Sequence, residues 1–333
     1  LRSKFGTEAD ITVFGDGPRF SFTPSNPWLA VGWREPGQIT LDAGEHLNKK
    51  NIHFVPRRIS KLNPEANTVE TENGDVHTYD YLLICTGPRL AFEEVPGSGP
   101  QGGFTQSICT TPHAGEAWKN YQEFLKDPGP IVVGAVQGAS CFGPAYEFIM
   151  ILDADLRKRK LRDKVPMTFV SSEPYVGHMG LGGVGDSKGL MESEMRQRHI
   201  KWVVNAKVSK VEQGMMHVME CDESGADKKA HALPFKFSML LPAFKGVDAV
   251  AAVAGLCNPR GFVLTDKHQR SVKYPNIFSA GVCVAIPPVE ATPVATGAPK
   301  TGFMIESMVT TIVENIHAEA NGRPADHVGT WNA

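Results

Sequence analysis

Several features that settle a protein's class early are missing from this sequence. Its six cysteines, at positions 85, 109, 141, 221, 257 and 283, include no Cys-x-x-Cys spacing, so neither a zinc site nor a thioredoxin-like pair is indicated and no disulfide framework is implied. No stretch approaches the roughly 20 uninterrupted apolar residues of a spanning helix. The opening Leu1-Arg2-Ser3-Lys4 is not followed by the apolar region of a signal peptide, so the chain reads as water-soluble. A charge imbalance is missing too. With 34 Lys and Arg against 36 Asp and Glu, the formal net charge of −2 gives no general electrostatic reason to expect nucleic acid or anionic lipid as the main partner.

What is present is a chain of 333 residues, 41% of them apolar, with 33 glycines and 24 prolines. That describes a globular, loop-rich protein large enough for two domains. Its one basic run, Arg157-Lys158-Arg159-Lys160 with Arg162 and Lys164, follows an apolar helical stretch and reads as a solvated helix end. Residues 9–14 read as a strand near the end of a βαβ unit whose beginning is not in the sequence, and Gly329 to Ala333 stops without a closing element. A fragment is the expectation at both ends.

The grammar is α/β. Residues 51–55, 68–72 and 77–78 read as short strands, the last two split by Asn73-Gly74, and residues 80–87 as a buried strand ending in Thr86-Gly87. Residues 113–126 read as a helix. A second block repeats the pattern, with strands at 167–171, 201–205, 207–213, 215–220 and 237–242 and a helix at 188–197. A strand at 276–281 ends in glycine like the one at 80–87, and a last helix spans 300–316 with Met304, Met308, Ile312 and Ile316 on one core-facing stripe.

Between the blocks lies Ile131-Val132-Val133-Gly134-Ala135-Val136-Gln137-Gly138-Ala139-Ser140-Cys141, a β-branched strand running into a glycine turn before a helix. This is how a doubly wound sheet presents backbone N–H groups to an anion. The Gly134-x-x-x-Gly138 spacing departs from G-x-G-x-x-G, because Val136 takes the middle glycine's place and hinders the approach of a pyrophosphate. A nicotinamide cofactor is therefore disfavoured here. By itself, Cys141 reads as a small buried hydrophobe or as a reactive thiol.

A strand ending in Thr86-Gly87, a later one ending in Ala280-Gly281, and a nucleotide-type unit between them outline the flavoproteins with two dinucleotide-binding domains. Within that group, five segments closely resemble bacterial sulfide:quinone oxidoreductases. They are Pro24-Ser25-Asn26-Pro27-Trp28, Gln106-Ser107-Ile108-Cys109, Gly138 through Glu147, Ser172 through His178, and Thr296-Gly297-Ala298-Pro299-Lys300-Thr301-Gly302. The resemblance spans essentially the whole chain. It implies two Rossmann-like domains with interleaved connectivity: an FAD-binding part over 1–108, a second unit over 109–245, and a return to the first over 246–333.

It further implies an FAD enzyme that oxidises hydrogen sulfide to polysulfide or sulfur and passes two electrons to membrane quinone. By resemblance, Cys141 is the redox thiol, working with a second cysteine expected shortly after Thr330 to Ala333, and Cys109 is the family's third thiol. His113 and His178 match histidines on the sulfide side, where imidazole is suited to moving protons. Each is equally readable as a histidine satisfying a buried loop. Glu147 admits a similar role, though a helix carboxylate is usually solvated or paired at the surface.

The chemistry calls for a low-pKa thiol, and Cys141 near a helix start is expected to have its thiolate favoured by the helix dipole. Thr86, Gly87 and Gly281 match backbone positions lining FAD, and Pro27 is expected to border the flavin. Lys300, with Thr301 and Gly302 opening the last helix, is expected to stabilise negative charge on the reduced ring. Val282 follows Gly281 where many relatives carry aspartate, and Cys85 stands where many carry alanine. Cys221, Cys257 and Cys283 match no role. The resemblance places the protein peripherally on the bacterial inner membrane, in a homo-oligomer, with membrane contact made by a carboxy-terminal region not in this sequence. The alternatives left open are the flavoprotein subunit of a flavocytochrome c sulfide dehydrogenase, a membrane NADH dehydrogenase, which Val136 opposes, and a non-catalytic FAD-binding or sulfide-sensing protein.

Overall fold

Short β-rich runs near the amino end, β1 (Thr12–Phe14) and β2 (His53–Val55), pair in parallel in the computed structural model, which describes residues 1–329. After a three-stranded antiparallel meander over 59–78 comes β3 (Leu82–Ile84), narrower than the run 80–87 suggested. Helix α1 (Thr111–Phe124) starts two residues before its expected position. Thr110 is its N-cap, its hydroxyl accepting from the His113 N–H at 3.3 Å, and Pro112 fits the first turn because no N–H is needed there.

The centre of the molecule is a four-stranded parallel sheet. Strand β4 (Ile131–Ala135) leads through the Cys141 turn to α2 (Gly143–Lys158), then β5 (Met167–Ser171), α3 (Ser187–Gln197), β6 (Ile200–Val203) and β7 (Phe237–Leu241). The order across the sheet is β6-β5-β4-β7. Every residue of β4 and β7 is buried, as expected for parallel strands covered on both faces. Ile131, Val133 and Ala135 face Tyr121 of α1 and Phe148, Ile149 and Leu152 of α2. Val132, Val136 and Leu240 face the opposite way, onto Val208, Val211, Met216 and Val218. Each large apolar side chain so buried contributes about 1.5–3 kcal/mol.

That second layer is an antiparallel meander of Ala206–Glu212, Met215–Cys221 and Asp227–Pro234. The chain then returns to its first half, since β8 (Ile277–Ser279) pairs in parallel with β3, Ile277 opposite Leu82. The last helix, α4 (Gly302–Ala320), buries Met304, Met308, Ile312 and Ile316 as the stripe predicted, and begins at Gly302 because Thr301 is its N-cap.

Two expectations need correction. Gly134 lies within β4 rather than in the turn, where a Cβ would stand 1.9 Å from the Val170 carbonyl oxygen, so this glycine serves close strand packing. The basic run is not a simple solvated end. Buried Asp153 accepts from Arg157 (2.8 Å), Arg162 (2.6 Å) and Arg198 (3.2 Å), and buried Asp155 accepts from Arg159 (2.6 Å), Tyr121 (3.0 Å) and Trp33 (2.9 Å). Carboxylates on the inner face of α2 demand these partners.

Candidate active site

The turn after β4 is held from two sides. Gln137 bonds both backbone groups of Val208, donating at 3.1 Å and accepting at 2.9 Å. On the other side the Gly138 N–H donates to Ala295 at 2.6 Å and the Gly297 N–H to Ala139 at 2.8 Å. The returning chain at Ala295 and Gly297 is thereby laid against Gly138, Ala139 and Ser140, next to Cys141 in sequence. Gly297 is required there, since a Cβ would lie 2.8 Å from Ser140 Cβ.

Cys141 precedes the helix proper, with Phe142 at the N-cap and no capping side chain. Burial pushes its thiol up to about 11, so the lowering expected from the helix dipole does not prevail. Cys109 ends the segment leading into α1. Burial pushes its thiol up to about 12, with the Ser107 hydroxyl pulling the other way and a further push from Cys141. That last effect puts the two thiols within electrostatic reach of each other. Values this high keep both groups as thiols near neutrality.

The two candidate histidines differ in setting. His113, half-buried at the start of α1, has Nδ1 3.2 Å from Ser107 Oγ and Nε2 3.4 Å from Nε2 of exposed Gln101, and burial holds it below the ordinary histidine range. His178 is 1% exposed and engaged at both nitrogens, Nδ1 accepting from the Gly180 N–H (3.1 Å) and Nε2 donating to Glu290 (2.7 Å). In this geometry it braces the loop.

That loop is organised by Glu173, which is 0% exposed. Its Oε1 accepts from the Met179 N–H at 2.6 Å, and its Oε2 from Tyr146 (2.8 Å) and Ser171 (2.6 Å), while Tyr146 accepts from the Gly177 N–H at 2.9 Å. Burial raises the Glu173 pKa despite these donors. The hub ties the end of β5, the second turn of α2 and the His178 loop into one block beside Cys141. Glu147, exposed on α2, accepts from Trp28 Nε1 at 3.2 Å.

Most residues expected to line a flavin gather at the carboxyl ends of β3 and β8. Cys85 is solvent-exposed at the end of β3, and the atoms packed around its sulfur push its thiol up to about 11. Thr86 is exposed beside it. Gly87 has φ +68°, and a Cβ there would meet nothing within 4 Å. Gly281, φ +84°, donates its N–H to the Met308 sulfur at 3.3 Å. Lys300 donates to the Val282 carbonyl at 2.9 Å and lies 4.0 Å from the Phe262 ring centroid, and burial pulls its pKa down to about 8. Thr301 and Gly302, both exposed, open α4, the helix whose Met308 meets Gly281.

An open cleft at parallel strand ends, with glycines in the left-handed region and a helix amino end at its rim, fits an anionic dinucleotide. Pro27 is buried in the short helix Asn26–Leu29, which packs on α1 and α2 and is pinned by Asn26 to the Ile108 carbonyl, next to Cys109, at 3.0 Å.

Ser107, Tyr146, Glu173, Glu290 and Gly297 had no role in the sequence reading. Ser107, Tyr146, Glu173 and Gly297 lay inside the quoted segments, but only the partners they meet in the fold reveal what they do. Thr330 to Ala333, and with them the expected position of a second redox cysteine, lie outside the described residues. Among the described residues no group of three His, Cys, Asp or Glu side chains is placed to hold a metal ion.

No protein-family model matches the chain. The sulfide-quinone reductase of Aquifex aeolicus (strain VF5) is 44% identical to it over 316 residues, which span 94% of this chain and 71% of that protein. The mitochondrial sulfide:quinone oxidoreductase of Mus musculus is 24% identical over 301 residues, 86% of this chain and 62% of the mouse protein. Among solved structures, the X-ray structure of the sulfide:quinone oxidoreductase from the hyperthermophilic bacterium Aquifex aeolicus superposes with a TM-score of 0.92 at 42% identity, covering 97% of this chain and 74% of that one.

Proposed function

The chain belongs to the sulfide:quinone oxidoreductase family, and from that premise we propose how its residues serve the oxidation of hydrogen sulfide with quinone as acceptor. The observation that carries the reading is that Cys109 feels the charge of Cys141, together with glycines at the ends of β3 and β8 whose open positions suit a flavin. FAD is the cofactor we assign, and when bound it takes two electrons from sulfur and yields them to quinone. Thr86, Gly87 and Gly281 would hold it where the backbone allows close approach, with Thr301 and Gly302 presenting the amino end of α4.

Lys300, already tethered to Val282, would set a cation beside negative charge on the reduced ring. Cys141 is the thiol on which sulfur is carried, and Cys109 is its neighbour for exchange, the incoming nucleophile being HS⁻. His113 moves protons at Cys109. His178, braced by Glu290, holds the loop that covers the Cys141 helix, and Pro27 borders the flavin. The parallel pairing of β8 with β3 supports a division into 1–108, 109–245 and 246–333, the last part completing the first. Because quinone is a membrane solute, we place the enzyme at a membrane surface, specifically the bacterial inner membrane. Phe303, 62% exposed on the first turn of α4, is consistent with an apolar approach to the cleft. Among the described residues no helix is long and apolar enough to cross a membrane.

The test is anaerobic bleaching of the flavin band of the full-length protein by sulfide, followed by addition of a short-chain quinone. Bleaching and quinone-driven recovery, both lost in Cys141→Ala, are expected. Bleaching without recovery would instead point to a haem acceptor, and unimpaired turnover in Cys141→Ala would remove that residue from the mechanism.

A further inference from the structure

Lys300 is a half-buried cation without a protein counter-ion. Its Nζ donates to the Val282 carbonyl at 2.9 Å and stands 4.0 Å from the centroid of the Phe262 ring. Of the ammonium's three N–H donors, one meets a protein oxygen among the described residues, and no Asp or Glu among them pairs with it. The cation is therefore held by neutral groups alone, a carbonyl dipole and the negative face of an aromatic ring.

Both partners are fixed without help from the lysine. The Val263 N–H donates to the Cys283 carbonyl at 2.8 Å and the Ala285 N–H to the Val263 carbonyl at 2.9 Å, which sets Val263 beside Val284 in a parallel bridge. Val263 and Cys283, 0% and 1% exposed, lie in one apolar core with Leu256 and Ile277. Phe262 and Val282 each directly precede a member of this clamped pair. The Phe262 backbone is also tied both ways to Asn258, its N–H donating to Oδ1 at 3.1 Å and its carbonyl accepting from the Asn258 N–H at 2.9 Å. Ring and carbonyl thus belong to one rigid unit, onto which Lys300 is delivered by the segment that opens α4.

A carboxylate in this place would cancel the ammonium's charge in every state of the site. A carbonyl and a ring face attract the cation and leave its net charge intact. We infer that Phe262 is a positioning residue, its ring and the Val282 carbonyl forming a neutral seat that holds the Lys300 ammonium in place while leaving its charge for an anion at the carboxyl ends of β3 and β8. The seat rests on the assigned flavin only for the identity of that anion, the reduced ring.

The seat matters because the cation is marginal. Burial pulls the Lys300 pKa down to about 8, with the Cys283 thiol pushing the other way, so little support can be lost before the ammonium gives up its proton near neutrality. Other charged side chains on the Phe262 loop are engaged elsewhere. Arg260 donates to the Phe244 carbonyl at 2.9 Å and pairs with Glu94 at 3.3 Å, and Asp266 accepts from the His268 and Arg270 N–H groups at 2.8 and 3.0 Å. Glu306, one turn into α4, is exposed.

The test compares Phe262→Leu, Phe262→Tyr, Lys300→Met and the Phe262→Leu/Lys300→Met double variant in the full-length flavin-loaded protein. One readout is the pH dependence of Lys300 acetylation by acetic anhydride, followed by mass spectrometry on the oxidised protein. The other is the flavin midpoint potential by dye equilibration. Phe262→Leu is expected to raise the acid dissociation constant of Lys300 about tenfold, the loss of one partly desolvated cation–π contact. It should also lower the flavin potential, by less than Lys300→Met does, and should add nothing in the Lys300→Met background. Phe262→Tyr keeps a ring face and should restore both readouts.

An acetylation profile unchanged in Phe262→Leu would overturn the seat. So would a fall in potential of the same size with and without Lys300, since the ring would then act on the flavin directly. Should Phe262→Leu fail to fold, phenylalanines carrying one, two or three ring fluorines at position 262 keep the shape and weaken the ring face stepwise. The dissociation constant should climb with each fluorine, and a flat series would overturn the seat equally. If Lys300→Met leaves the potential unchanged, Lys300 does not lie beside the flavin and that reading fails, while the acetylation profiles still decide the seat.

Discussion

Replacing Glu173 with glutamine tests whether the hub beside Cys141 holds a carboxylate whose protonation matters. The side chain is fully buried, accepts from Met179, Tyr146 and Ser171, and has its pKa raised by burial in spite of them. A carboxyl with a raised folded pKa contributes stability that is fully present below the ordinary glutamate pKa and is lost as pH rises through the folded value. One such group gives at most about 1.4 kcal/mol per pH unit over that window. Glu173→Gln keeps the shape and removes the titration. Its amide oxygen can face the Met179 N–H, while its amide nitrogen faces the Tyr146 and Ser171 hydroxyls, which must turn to accept. Their hydrogens then lose an acceptor, so the variant should be less stable by about 1–3 kcal/mol at low pH. As pH rises from the ordinary glutamate range, about 4.5, toward the raised folded value, wild type loses the Glu173 contribution and the variant does not. The gap should narrow. The assay is urea denaturation of both proteins across this range, reading the difference in midpoint multiplied by a common m-value. All other titrating groups are shared, so a gap that stays constant with pH would refute a titrating Glu173.

Four other substitutions probe the site and its support. Gly297→Ala puts a Cβ 2.8 Å from Ser140 Cβ and 3.2 Å from the Ala139 oxygen, and should cost about 1–3 kcal/mol and slow sulfide oxidation. Gly302→Ala, whose Cβ meets nothing within 4 Å, should leave thermal stability nearly unchanged, and a calorimetric scan of both glycine variants checks the contrast. Lys300→Met removes a cation from the cleft and should lower the flavin potential, by about 30–65 mV if one charge-assisted hydrogen bond of about 1.5–3 kcal/mol is lost. A dye-equilibration titration checks this, and an unchanged potential would take Lys300 away from the ring. Arg162→Ala strips buried Asp153 of its 2.6 Å partner, and should lower stability by about 3–5 kcal/mol in a urea titration.

The alternation of strand and helix was readable because β-branched runs such as Ile131-Val132-Val133 and the apolar face of α4 carry their period openly. The strand Asp227–Pro234 was not expected. Its sequence, Asp-Lys-Lys-Ala-His-Ala-Leu-Pro, has no β-branched residue, and it is held as an outer strand by pairing with Met215–Cys221. Short elements such as Asn26–Leu29 were invisible for a related reason, being fixed by contacts to α1 and α2 rather than by local propensity. At the site, cysteines and glycines announced themselves through residue type and neighbouring motif. The environment of Cys141 did not, because the balance of burial against a helix dipole depends on where the helix starts, and it starts two residues later. Ser107 has no sequence signature, and Glu290 meets His178 across 112 positions.

The inward turn of Glu173 also bears on what this scaffold has given up. In nucleotide-binding βαβ units an acidic residue after the second strand reaches out to ribose hydroxyls. Here the acid remains at that strand end but is folded into the interior as a strut, both oxygens spoken for by its own chain. The second Rossmann-like unit has thus exchanged a ligand's sugar for its own tyrosine and loop. Engineering nicotinamide use into it is consequently not a matter of opening position 136 to glycine. The carboxylate would first have to be freed, and freeing it would dismantle the block that seats the His178 loop on the Cys141 helix. In this architecture, sulfur chemistry and pyridine-nucleotide binding compete for the same few side chains.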